Sequence, residues 1–272
     1  MIDIGSGNPI VLIPGIQGRW EWARTAVEAL ARSHRVLSFS LCDERASGFP
    51  CDPVSGFDNY VTQVAAAMDR AGIARATIVG VSYGGLIAAE FAARHPERTS
   101  ALVLVSALPI GWVPDARMRF YLRWPRLLSP LFCVTAPARL SAEVAAALPH
   151  PLERLRFASR HLWRVTLAPL SPSRMARRVR WAQSYRFTDP GSIAVPVLLL
   201  TGEPHLDLVV PVELSRYIVQ QVPTARHVVL PRTGHLGLVT RPDAFADIVS
   251  GFADETRRAP RADAPQERQR AS

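Results

Sequence analysis

Short runs of valine, isoleucine and leucine recur along this chain, separated by stretches of helical periodicity. That alternation narrows the available folds more than any other feature of the sequence. The runs at residues 10–13, 35–39, 77–79, 101–105, 197–200 and 227–230 are rich in Val, Ile and Leu at adjacent positions rather than at every second one. A strand that is apolar on both faces must be covered on both faces, which is the condition of a parallel sheet flanked by helices. Helical patterns over residues 20–33, 57–71, 83–94, 212–221 and 243–252 fill the intervals, and Pro211 and Pro242 stand where a first helical turn tolerates proline. Strand and helix in strict succession predict the α/β class, with a doubly wound, mostly parallel sheet. A short strand over residues 2–4 can precede it.

The alternation stops between residues 108 and 190, where proline, tryptophan and arginine crowd together, and resumes at "VPVLLLTG". The expected organisation is therefore an α/β core from residues 1–107 and 191–253, interrupted after its fourth main strand by a helical lid over 108–190. Such an insert would cover the carboxyl ends of the strands, where open α/β sheets bind ligands. The tail from 254 to 272, rich in Pro, Arg and Ala without periodicity, is expected to be disordered. Charge follows the same division. The chain carries +9 overall and contains no lysine, and fourteen arginines between residues 112 and 187 face only Asp115, Glu143 and Glu153. The basicity belongs to the insert, and no nucleic-acid-binding motif accompanies it. Its arginines either draw anionic substrates toward a cleft or form solvated helix faces.

No apolar run reaches the ~20 residues needed to cross a bilayer, and the amino terminus lacks the pattern of a secretory signal. The expectation is a cytoplasmic protein without a transmembrane segment. Three cysteines, Cys42, Cys51 and Cys133, have no metal-ligand spacing, so buried or idle thiols are expected and no metal or cofactor is called for. The stretch "GSGNPI" does not continue into a dinucleotide fingerprint.

The residue that carries chemistry is Ser82, in "ATIVGVSYGGLIAAEFAARH". A serine hydroxyl is a weak nucleophile and needs both exposure and a neighbouring base. A tight strand–turn–helix corner lifts it above the sheet and sets backbone N–H groups of a helix N-terminus beside it, where negative charge is stabilised. Gly80 and Gly84, two residues before and two after, let the corner close, and the strand before and helix after supply its context.

In that setting the chain resembles the α/β-hydrolase superfamily, over roughly residues 2–252. "IVLIPGIQG" resembles the family's oxyanion loop, and "SLCDERASGFP" its Asp-x-Arg-Gly-x-Gly turn with Ala46 in place of the first glycine. "RHPERTSALVLVSA" resembles the segment after the nucleophile helix. The resemblance implies a base near the carboxyl end, assigned to His235 in "LPRTGHLGLV", and an acid after the strand "VPVLLLTG". Asp207 takes that role, with Glu203 as its competitor. It also implies oxyanion donors at the backbone N–H groups of Ile16 and Tyr83. Many relatives have His-Gly where this chain has Pro14-Gly15.

The implied activity is that of a serine esterase, with carboxylic ester cleavage through an acyl-enzyme. A thioesterase, C–C bond hydrolase, cofactor-free haloperoxidase or non-catalytic receptor would use the same fold. A serine at the elbow disfavours the branches that use aspartate there. The partner is a small acyl substrate, anionic if the arginines steer it, with pocket candidates Gln17, Trp112, Tyr121, Trp124 and Trp163. These aromatics could equally form the insert's own core.

Overall fold

The computed structural model describes residues 1–258, with the backbone alone described at residues 129, 131–134, 136, 137 and 165. Its strands are β1 (Ile2–Ile4), β2 (Pro9–Ile13), β3 (Arg35–Ser38), β4 (Ala76–Val81), β5 (Thr99–Val105), β6 (Val197–Thr201) and β7 (Ala225–Val229). They form one sheet in the order β1-β3-β2-β4-β5-β6-β7. β1 pairs antiparallel with β3 and every other pairing is parallel. The helices are α1 (Arg24–Leu30), α2 (Asp58–Arg70), α3 (Tyr83–Arg94), α4 (Ala116–Arg123), α5 (Ser129–Ala147), α6 (Pro151–Leu167), α7 (Pro172–Ser184), α8 (Val212–Gln221), α9 (Gly237–Thr240) and α10 (Pro242–Arg258).

The continuous apolar runs are explained by burial on both sides of the sheet. In β2, Val11 and Ile13 face a core shared with Val61, Ile87 and Phe91 from α2 and α3. Ile10 and Leu12 face the opposite core, shared with Val27 of α1 and Phe245 and Val249 of α10. All four β2 side chains are fully buried, each contributing on the order of 1.5–3 kcal/mol. A one-residue slip would exchange the two faces, so the register is held by packing as well as by hydrogen bonds.

Helices α4 to α7 form the insert between β5 and β6. It is tied to the core by particular residues. Ala176, Arg178, Val179 and Ala182 of α7 are buried, and the Trp181 ring lies 5.7 Å from that of Tyr60. Trp22 Nε1 donates to the Ala168 carbonyl at 3.1 Å and its ring meets His161 edge-on.

Two expectations need correction. The first helical region divides into a 3₁₀ turn, Trp20–Ala23, and the short α1. The last helix continues to Arg258, so residues 254–258 are helical rather than part of a disordered tail. Phe252 and Ala253 remain buried there, and Arg226 forms a two-pronged pair with Glu255, so the amphipathic face outlasts the apolar periodicity of residues 243–252. The remainder of the tail, residues 259–272, lies outside the described residues, as does the side chain of Cys133. Cys42 and Cys51 are free thiols; burial pushes both up, and each feels the other.

Candidate active site

Ser82 stands between β4 and α3 with φ +52° and ψ −116°, a conformation that a side chain rarely adopts. Such strain costs of order 1–3 kcal/mol and is held only by surrounding structure. Here the Ser82 N–H donates to the Val105 carbonyl at 2.8 Å, and its own carbonyl accepts from Gly85 at 2.9 Å and Leu108 at 3.3 Å. The neighbouring glycines are sterically required. A methyl group on Gly80 would overlap the Gly84 carbonyl and lie 2.6 Å from the Ala88 methyl, and one on Gly84 would meet the backbone of Ile13 and Pro14. That last contact sets the loop after β2 directly against the turn bearing Ser82. Tyr83 opens α3, so its N–H belongs to the helix's positive end. Ile16 lies in the facing loop, where the Gly18 N–H closes a turn onto the Gly15 carbonyl.

The acid and the imidazole come from the adjacent end of the sheet. Asp207, 3% exposed, follows β6, and His235 follows β7. His235 Nδ1 lies 3.4 Å from Asp207 Oδ2, long for a charge-assisted bond but within the looser geometry of sites without substrate. The other carboxylate oxygen accepts the N–H groups of Val209 at 3.1 Å and Val210 at 2.9 Å. Burial alone would raise this carboxyl, but His235 and the two N–H donors outweigh it and hold it below the usual range. Gly234 allows the approach of the two loops, since a side chain there would strike the Leu206 carbonyl and come within 2.8 Å of the Asp207 nitrogen. Glu203, the competing acid, is engaged elsewhere: its Oε1 accepts the Arg232 N–H at 2.7 Å.

Among the pocket candidates, Gln17 and Trp112 are half-buried, and Tyr121, also half-buried, packs against Phe120 and Arg117. Trp124 and Trp163 stand 55% and 66% exposed. Among the described residues, no group of three or more His, Cys, Asp or Glu could hold a metal ion.

The sequence of the insert concealed a second feature. Arg178 is fully buried. Its guanidinium donates to Asp43 Oδ1 at 2.7 Å, to Glu44 Oε1 at 2.6 Å and to the Ile16 carbonyl at 2.6 Å. Arg177 and Arg174 complete the cluster on the outer carboxylate oxygens, at 3.1 and 2.9 Å. Burial opposes the charge on Arg178, but the two carboxylates dominate and keep it ionised. Arg178 is neither free to steer a ligand nor solvated; with Arg174 and Arg177 it clamps the insert to Asp43 and Glu44, and alone it reaches the loop at Ile16. The acidic pair in "SLCDERASGFP" is the only trace of this in the sequence.

A family model described as alpha/beta hydrolase fold matches residues 8–242. The chain belongs to the alpha/beta hydrolase fold family. Among curated relatives of this hydrolase, 2-hydroxy-6-oxo-2,4-heptadienoate hydrolase of Pseudomonas putida is 26% identical, with 92% of this chain and 90% of that protein covered. The 2-hydroxymuconate semialdehyde hydrolase of Pseudomonas sp. CF600 is also 26% identical, covering 93% of this chain and 89% of its own. Among solved structures, the enol-lactonase from Burkholderia xenovorans LB400 superposes with a TM-score of 0.75 at 23% identity, covering 92% of this chain and 94% of that one. At that identity the last comparison speaks for the fold alone.

Proposed function

We propose that this member of the family is a serine hydrolase that cleaves a carboxylic ester, or a related acyl substrate, through an acyl-enzyme. The observation that carries the reading is the pairing of His235 Nδ1 with a buried Asp207. An imidazole held this way presents its other nitrogen, Nε2, as the base. Ser82 Oγ would attack the carbonyl carbon while His235 Nε2 accepts its proton. The oxyanion that forms would rest against the N–H groups of Ile16 and Tyr83, where losing one donor costs on the order of 10²–10³ in rate. Collapse would pass the proton from His235 to the departing alkoxide, leaving Ser82 acylated. Water would then attack the ester so formed, delivering its proton through His235 and releasing the acid. The Asp207 carboxylate orients the imidazole and stabilises its cationic form.

The insert would serve as the lid, with Gln17, Trp112 and Tyr121 the candidates to line the acyl site. Trp124 and Trp163 are too exposed to be asked for that role. A second reading, hydrolysis of a C–C bond beside a ketone, is favoured by the names of the two Pseudomonas relatives. It needs the same attack by Ser82, but a delocalised carbon leaving group in place of an alkoxide. A panel of p-nitrophenyl esters of rising chain length, run beside a 2-hydroxy-6-oxo-dienoate, separates the two. Ester turnover abolished in Ser82→Ala supports the first reading. Turnover of the dienoate with no ester cleavage replaces it with the second, and ester turnover unchanged in Ser82→Ala removes both.

A further inference from the structure

Glu143 is the sole acidic residue between Asp115 and Glu153 in a strongly basic insert, and it is fully buried. From α5 its Oε1 accepts the Leu236 N–H at 2.6 Å, and the Gly234 N–H also favours its charged form. The carboxylate thus grips the backbone directly after His235. Its second oxygen, Oε2, is buried with no hydrogen-bond partner among the described residues. Removing a carboxylate from water is costly, and an alanine would serve the helix better. On its opposite side the same loop abuts Asp207, through Gly234. The segment bearing the imidazole is therefore held between the acid loop and the insert.

We propose that Glu143 is a positioning residue for His235: by holding the N–H group that follows it, the insert sets where the imidazole sits. The alignment of His235 with Asp207 then depends on the seating of α5. This rests on the reading of Ser82, His235 and Asp207 given above.

The charged groups around Glu143 sharpen the expectation. His235 and Asp207 face it from the two loops. Arg139 lies one turn earlier on α5, while Arg154 of α6 donates to the carbonyls of Leu148, Ala145 and Pro149. The residues of α9 carry no titratable side chain. Burial pushes the Glu143 carboxyl up to about 7, against the pull of the two N–H groups and His235. A group that changes charge in the neutral range beside the base should leave its mark on the pH profile.

The test uses the full chain and a fluorophosphonate probe, with labelling rates followed from pH 5 to 9 and thermal melts in parallel. Glu143→Ala is expected to slow labelling by roughly tenfold or more, the scale of a misplaced catalytic group. Glu143→Gln keeps an oxygen to accept the Leu236 N–H, so it should label within about threefold of the wild type at the optimum. Without a group that changes charge near neutrality, its pH profile should lose the feature the wild type shows there. Should Glu143→Ala fail to fold, the Gln profile decides alone. Wild-type rates and a wild-type pH profile in the variants, with Ser82→Ala unlabelled, overturn the role of Glu143 and leave the triad reading intact. Undiminished labelling of Ser82→Ala overturns that reading, and this inference with it.

Discussion

Replacing Arg178 by methionine should be among the most damaging single changes outside the reacting groups, and the structure sets its scale. The side chains of Arg178 and Asp43 are fully buried and that of Glu44 is 3% exposed. Removing one member of a buried ionic cluster costs roughly 3–5 kcal/mol, because it strands the opposite charge. Asp43 retains Arg177 and Glu44 retains Arg174, which places the expected loss near the lower end, about 3 kcal/mol. For a chain of this size that is a fall in melting temperature of about 6–12 °C. Differential scanning calorimetry measures it, and the difference between wild type and variant should barely respond to 0.5 M salt, since buried pairs are weakly screened. On the proposed function, ester turnover should drop as well, because the Ile16 carbonyl loses its anchor. Adding Asp43→Asn and Glu44→Gln to the same chain should recover much of the stability by removing the stranded charges. A melting temperature within 2 °C of wild type for Arg178→Met, or no recovery in the triple variant, would refute the clamp.

Gly80→Ala should destabilise the fold by about 2–3 kcal/mol through overpacking, because its methyl lies 2.6 Å from that of Ala88; a thermal melt and ester turnover should fall together. Glu143→Gln should change how stability depends on pH. With the wild-type carboxyl raised to about 7, the folded state binds the extra proton between an ordinary carboxyl value of ~4.3 and 7. Wild-type stability therefore declines as pH rises through that window, by about 4 kcal/mol in total, and the Gln variant lacks the decline. Urea titrations at pH 4.5 and 7.5 measure it, and parallel curves for the two proteins would contradict the burial of that charge.

The sheet was legible because β2, β4, β5 and β6 each carry a run of consecutive apolar residues, a pattern few other environments allow. The elbow was legible because Gly80 and Gly84 meet backbone atoms that leave no space for a side chain. His235 and Asp207 were reached through family order rather than through any local signal, and only the folded loops show that Glu203 bonds Arg232 instead. What the sequence hid was the partnering of charges across long separations. Arg178 lies 135 residues from Asp43 and Glu143 lies 93 residues from Leu236. Both stand in a stretch whose composition reads as solvated surface. Burial of a charge is decided by a distant partner, and a one-dimensional pattern carries no record of it. The end of α10 was missed for a related reason: Glu255 is held by Arg226 of β7.

The account stands on the assignment of Ser82 as a nucleophile activated by His235. Peptide mapping by mass spectrometry after exposure to a fluorophosphonate tests it most directly. One phosphonyl adduct on the peptide containing Ser82, absent in Ser82→Ala and formed far more slowly in His235→Ala, is the predicted result. An adduct on another residue, or an unmodified Ser82 in folded wild-type protein, would contradict it.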